Sequence, residues 1–204
     1  MDKVFTEIYE TCQWGNNGVS QYKGSSGAGS TIMYNLNSYI PFLQRIIKET
    51  NIESIVDLGC GDFVCGPLIY CPINNITYTG YDAYNGVIDN NKTNYASPKF
   101  NFIHLDFCNN KEEIISADLC ILKDVIQHWS LANIYSFMDY LVESKKFKYI
   151  LICNCSGQKK DDTDIKDGEW RPLSSNFLPL KKYNPIKLYN YGTKEVSVIK
   201  IQTN

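Results

Sequence analysis

Histidine is scarce, and cysteine, though plentiful, never forms a CxxC pair. The 204-residue chain has two histidines, His104 and His128, and eight cysteines, none in a CxxC pair. A structural zinc site needs four nitrogen or sulfur ligands, usually in close pairs. The spacing supplies no such set, so no metal is expected. Cysteines isolated in apolar runs, such as Cys120, Cys153 and Cys155, read as buried, reduced thiols. Charge of one sign is also lacking: 20 Lys and Arg against 22 Asp and Glu leave a net −2. A dedicated nucleic-acid partner, which wants a basic excess, is disfavoured. No apolar run reaches the ~18–20 residues of a membrane span, and MDKVFTEIYE lacks the apolar stretch of a signal peptide. The expectation is a cytoplasmic protein with no membrane partner.

Repeats are absent, and only one stretch is of low complexity, the Gly/Ser run YKGSSGAGST at 22–31. The middle of the chain alternates short β-branched or aromatic runs with polar, helix-compatible stretches. SIVDLG (54–59), ITYTGYDA (76–83), FNFIHLDF (100–107), DLCILKDV (118–125) and KYILICNC (148–155) read as strands. NGVIDNNKTNYA (85–96) suits a short helix. LANIYSFMDYLVESKK (131–146) carries Leu131, Ile134, Phe137, Met138, Leu141 and Val142 on one helical face. This alternation predicts an α/β fold with a mostly parallel sheet, helices on both faces and right-handed crossovers. IKLYNYG and EVSVIKIQ (186–192, 195–202) around GTK predict a C-terminal antiparallel hairpin. Upstream, 31–50 reads as helix with Ile32, Leu36, Leu43, Ile46 and Ile47 on its apolar side, and Pro41 kinks it or starts a second helix. The length fits one domain over 1–204: an N-terminal lid and helix (1–50), a ligand-binding core (51–155), and an acceptor-side loop with the hairpin (156–204).

VDLGCGDF (56–63) ends a strand in Gly59-Cys60-Gly61. Ligands of doubly wound sheets bind at the carboxyl ends of the strands, where glycine lets backbone approach them. A lone G-x-G is equally a turn for tight strand–helix packing. Its context adds Asp57 before the loop, Asp82 ending the next strand in YTGYD, and Asp106 ending the one after in FIHLD. The dinucleotide fingerprint fails, because Pro67 follows Gly66 in GCGDFVCGP, and GxxxxGK[ST] is absent.

DLGCGD followed by two strand-end aspartates resembles the Rossmann-like S-adenosylmethionine-dependent methyltransferases, clearly over residues 52–155. The resemblance implies S-adenosyl-L-methionine as cofactor. Asp57, Gly59, Cys60 and Gly61 would hold its methionine part, and Asp82 would accept from both ribose hydroxyls, as an acceptor-only carboxylate can. Asp106 would bond the adenine amino group with Phe107 near the ring, and Lys123 would complete the cofactor set. ILKDVIQHWS (121–130) is similar to a KDVLQHWS-like segment of small methyltransferases linked to glycan or small-molecule modification, with Ile126 in place of Leu. It would lie beside the methyl group.

Methyl transfer to a hydroxyl needs in-line alignment and removal of a proton. His128 is the expected base, with Asp124 orienting it or binding the acceptor, and Lys123 orienting substrate. The structural alternative has His128 and Trp129 cap the next helix, with Ser130 as N-cap. Trp129, Trp170 and Arg171 are the expected acceptor contacts; Trp170-Arg171-Pro172 offers an aromatic platform and a fork of donors. The acceptor is expected to be a small-molecule or glycan hydroxyl. The acidic run Asp161, Asp162, Asp164 reads as a solvated loop. Residues 14–30 read as a lid, with Gly27 and Gly29 allowing close approach and Ser30 or Thr31 capping the first helix.

Overall fold

The β-branched and aromatic runs fold into strands close to where the sequence places them. The computed structural model describes residues 1–16, 18 and 22–202. They form two compact units, 1–106 and 107–204.

In the first unit, β1 (Ser54–Leu58) pairs in parallel with β2 (Thr77–Asp82), which pairs in parallel with β3 (Phe100–His104). Parallel neighbours need crossovers; α4 (Gly66–Tyr70) and α5 (Asn85–Tyr95) supply them. The register sets Asp57 opposite Gly80 and Asp82 opposite His104. β3 stops at His104, so Asp106 does not end a strand as expected; it lies two residues beyond, in the following loop.

Upstream are α1 (Asp2–Glu10), α2 (Ile32–Asn35) and α3 (Tyr39–Glu49). Thr31 caps α2, its Oγ1 accepting from the Tyr34 N–H at 3.3 Å. Pro41 sits in the first turn of α3, where its missing N–H costs no helical bond. α3 buries Phe42, Leu43 and Ile47. Ile32 and Leu36, expected on the buried side, are 40% and 48% exposed, because α2 is one short turn with its own direction.

The core of this unit is aromatic. Phe63 stands 4.7 Å from Tyr78, 5.0 Å from Phe102 and 5.3 Å from Phe100, centre to centre. Gly66 makes room for it: a Cβ there would meet the Phe63 ring at 2.2 Å.

In the second unit, β4 (Ala117–Lys123) pairs in parallel with β5 (Phe147–Cys155). β7 (Lys194–Lys200) pairs antiparallel with β5, and β6 (Ile186–Tyr191) antiparallel with β7, giving the expected hairpin. α6 (Leu131–Glu143) buries Ile134, Phe137, Met138 and Leu141, each contributing roughly 1.5–3 kcal/mol of apolar burial. The acidic run Asp161, Asp162 and Asp164 is exposed and outside any helix or strand, as its composition suggests, and it also makes specific bonds. Asp167 Oδ1 accepts from the Ser130 N–H at 2.7 Å and Asp164 Oδ1 from the Leu131 N–H at 2.8 Å. These carboxylates satisfy the orphan donors at the start of α6 and complement its dipole; the Ser130 hydroxyl makes no cap bond. Asp162 accepts from Tyr135 Oη at 2.6 Å, and Asp161 from the Leu178 N–H at 2.7 Å.

Among the described residues no helix is long and apolar enough to cross a membrane, and no group of His, Cys, Asp or Glu is arranged to hold a metal ion.

Candidate functional site

Two clusters of functional side chains stand out, one in each unit. The first surrounds the glycine loop after β1. Gly59 and Gly61 hold φ of +83° and +54°, backbone that L side chains rarely adopt. Asp82 is 7% exposed. Its Oδ2 accepts from the Gly61 N–H and its Oδ1 from the Tyr84 N–H, both at 3.0 Å. Burial pushes this carboxyl up to about 6, with the two amides pulling back. Each oxygen keeps a further lone pair for a ligand donor. Asn91, fully buried, donates to the Gly61 carbonyl at 2.7 Å and fixes the loop from beneath. Asp57 Oδ2 accepts from Tyr78 Oη at 2.9 Å.

The Gly/Ser run lies against this loop. Ser26 Oγ accepts from the Asp62 N–H at 2.9 Å and bonds Tyr9 Oη at 2.9 Å. A Cβ on Gly61 would come within 2.5 Å of that hydroxyl. Residues 17 and 19–21 of the expected lid are outside the described residues. Tyr9 stacks on Tyr84 at 4.7 Å, and Tyr84 Oη donates to Glu10 at 2.6 Å. Helix α1, not foreseen in the sequence, thereby reaches the end of β2. Asp106 is engaged by the same helix: its Oδ2 accepts from the Met1 ammonium at 2.9 Å and the Asp2 N–H at 3.0 Å.

The second cluster follows β4. Asp124 holds φ +60°, an uncommon conformation for a residue other than glycine. Lys123 Nζ donates to its Oδ2 at 2.8 Å, and Lys194 Nζ and Gln127 Nε2 (3.1 Å) to its Oδ1. Burial would raise the Asp124 carboxyl, but the two ammonium groups outweigh it and hold it below the ordinary carboxylate range. Burial works against the charge of both lysines, and Asp124 lifts them nonetheless. Lys194 Nζ also reaches Cys155 Sγ at 3.0 Å.

Gln127 is the hub. Its Oε1 accepts from the Cys155 N–H at 2.8 Å, which orients the amide so that Nε2 faces Asp124 and lies 3.3 Å from His128 Nε2. His128 Nε2 is therefore the acceptor, and Nδ1–H donates to the Glu169 carbonyl at 3.0 Å. His128 is 8% exposed, and burial holds it below its ordinary value, so the ring is neutral at pH 7.

The expected acceptor contacts separate. Trp129 is 1% exposed, with ring centres 5.8 Å from Phe107 and 5.1 Å from Phe137. Trp129 and Phe107 (5% exposed) are thus core residues whose faces are already covered. Arg171 is 3% exposed; Nη1 donates to the Trp129 carbonyl at 2.6 Å, and Nε and Nη2 have no hydrogen-bond partner among the described residues. Burial lowers its affinity for a proton. Trp170 is 55% exposed. The chain at 168–171 runs beside 127–129, with the Gly168 N–H on the His128 carbonyl and the Arg171 N–H on the Gln127 carbonyl.

No family model and no curated protein matches the sequence. Solved structures do match. The methyltransferase domain of bacterial CtHen1-C is 14% identical and superposes over 83% of this chain and 100% of its own, with a TM-score of 0.61. The fold is that of the Rossmann-like methyltransferases. Methyltransferase structures that match over less of their own length include human N-acetylserotonin methyltransferase, solved with SAM (14% identity, 81% of this chain, 55% of that one, TM-score 0.58). PigF, solved with SAH, matches at 12% identity over 85% of this chain and 65% of its own, with a TM-score of 0.62. The chain thus spans 55–65% of the length of these two proteins.

One residue of the second cluster escapes sequence reasoning, and another is legible there only as part of a polar segment, with no role assigned. Lys194 lies 70 positions from Asp124, and no local pattern signals it. Gln127 stands inside the KDVIQHWS segment, where its density of polar groups is the only signal.

Proposed function

We propose that this protein is an S-adenosylmethionine-dependent methyltransferase acting on a hydroxyl of a small molecule or sugar. The observation that carries the reading is Asp82: a buried carboxylate fixed by two backbone amides beside a positive-φ glycine loop, on the methyltransferase fold. The residues fit the cofactor. Gly59, Cys60 and Gly61, with Asp57, take its methionine part; Asp82 accepts from the ribose hydroxyls; Asp106 takes the adenine amino group, in exchange for a contact it now makes with Met1 or Asp2. When bound, S-adenosylmethionine supplies a methyl group on a positively charged sulfur.

The chain's own task is to align the acceptor and take its proton. His128 is the proposed base. It is neutral, and its Nε2 lone pair is held by one long contact from Gln127 that an acceptor hydroxyl can replace. Asp124, anchored by Lys123 and Lys194, holds the other face of the Gln127 amide. A second reading has a specific observation behind it: both His128 nitrogens have partners and the ring is buried. There His128 ties the 168–171 chain in place and proton removal falls to solvent.

Calorimetry with S-adenosylmethionine, followed by release of S-adenosylhomocysteine on a panel of neutral acceptors, tests the function; absence of cofactor binding overturns it. His128→Asn separates the two readings. As base, its loss lowers kcat ~10²–10⁴-fold and removes the acidic limb of the pH profile, expected below pH 6.5. As a tie, it changes KM and stability and leaves the limb.

A further inference from the structure

The Gly/Ser run encloses a space that the cofactor residues do not use. Within the first unit a cavity of about 920 Å³ is lined by residues of 14–16 and 22–32 and by Asn90, Asn94 and Tyr95 of α5. Small-ligand pockets run ~300–1,000 Å³. Neither Asp57, Asp82 nor a residue of the 59–61 loop lines it; it begins one residue later, at Asp62.

Its chemistry narrows the ligand. None of the described residues lining it is a lysine, arginine or histidine. A phosphate or carboxylate would find no counter-charge there. The wall's polar side chains come from separate segments: Asn90 and Asn94 on α5, Ser25 and Thr31 from the Gly/Ser side, and Asp62 after the glycine loop. The Ser25 hydroxyl donates to the Trp14 carbonyl and that of Thr31 to the Ala28 carbonyl. Each oxygen also takes one backbone N–H, from Gly27 and Tyr34 respectively, and keeps one further lone pair. The wall therefore suits a ligand with many distributed hydroxyl donors. Trp14 adds an aromatic face, steadied by ring contacts to Phe5 at 5.9 Å and Tyr9 at 5.7 Å. An aromatic face, scattered amides and hydroxyls, one carboxylate and no cation match one side of a sugar ring and its hydroxyl rim.

We propose that this cavity binds an uncharged sugar unit, at a site separate from the cofactor residues. The inference does not rest on methyl transfer. It is tested on the full chain, without cofactor, by saturation-transfer NMR titrations with neutral methyl glycosides, glucose 6-phosphate and choline. The expected result is saturable binding of at least one neutral glycoside, not displaced by S-adenosylhomocysteine. Trp14→Ala should weaken it roughly 2–10-fold, about the loss of one aromatic contact. Ala28→Trp, which fills the cavity from an exposed position on its wall, should abolish it with the melting temperature unchanged. Failure of every neutral glycoside to saturate overturns the proposal. So does stronger binding of choline or the sugar phosphate, displacement by S-adenosylhomocysteine, or binding that survives both substitutions.

Discussion

Asp82 ends β2 and Asp124 follows β4, both are largely withdrawn from water, and they arrive at opposite charge behaviour. Asp82 is held by backbone amides with only a minor pull from His104, and burial lifts its carboxyl to about 6. Asp124 touches two ammonium groups, and its carboxyl falls below the ordinary range. Burial is the largest single influence on each. Full cations nearby decide the sign, because two neutral N–H donors cannot replace lost hydration. One acid is thus poised to change its ligand capacity near neutral pH, and the other is a fixed anchor.

The largest way to break this contrast is Asp124→Ala. It leaves Lys123 and Lys194 without their shared counter-charge, and loss of one partner from a buried pair costs ~3–5 kcal/mol. Urea unfolding should show that drop; a change below ~1 kcal/mol would mean water already reaches the cluster. Next is Asp82→Asn, which keeps shape and removes charge. Hydrogen bonds to a charged group contribute ~1.5–3 kcal/mol, so S-adenosylhomocysteine affinity should fall roughly 10²-fold by calorimetry. The wild-type affinity should also weaken as pH falls through about 6.

Stability should move in opposite directions for the two acids. The raised Asp82 carboxyl favours the folded chain in its protonated form. That contribution is whole below ~4, the unfolded value, and is lost as pH rises through about 6. The lowered Asp124 carboxyl contributes fully above ~4 and loses its share as pH falls through its folded value. Urea midpoints of Asp82→Asn should therefore lack the decline that the wild type shows between pH 4 and 6. The smallest effect sharpens the contrast with an exposed aspartate pair. Asp167→Ala removes one cap of α6 and should cost ~1 kcal/mol, a shift of ~2–4 °C in melting temperature.

What the sequence disclosed was local. The strands announce themselves because β-branched runs end in Gly or Asp within a few residues, and α6 because four core residues repeat at helical spacing. The glycine loop and Asp82 are legible for the same reason. What stayed hidden depends on distance along the chain. Asp164 and Asp167 cap α6 from 33 and 37 positions away, so nothing local shows that role. Trp129 stands in a segment dense with reactive groups, yet Phe107 and Phe137 claim its faces. Ile32 and Leu36 fit a helical stripe that the fold gives no partner, which periodicity cannot reveal.

The reach of Lys194 also has a meaning in time. Asp124 and Lys123 emerge together during synthesis, but the second cation follows 70 positions later, roughly 4–14 s at ~5–20 residues per second. Through that interval the polar centre of the second unit has one positive partner where the finished protein has two. The C-terminal hairpin, remote in sequence from every motif that suggests function, is the piece whose arrival completes it.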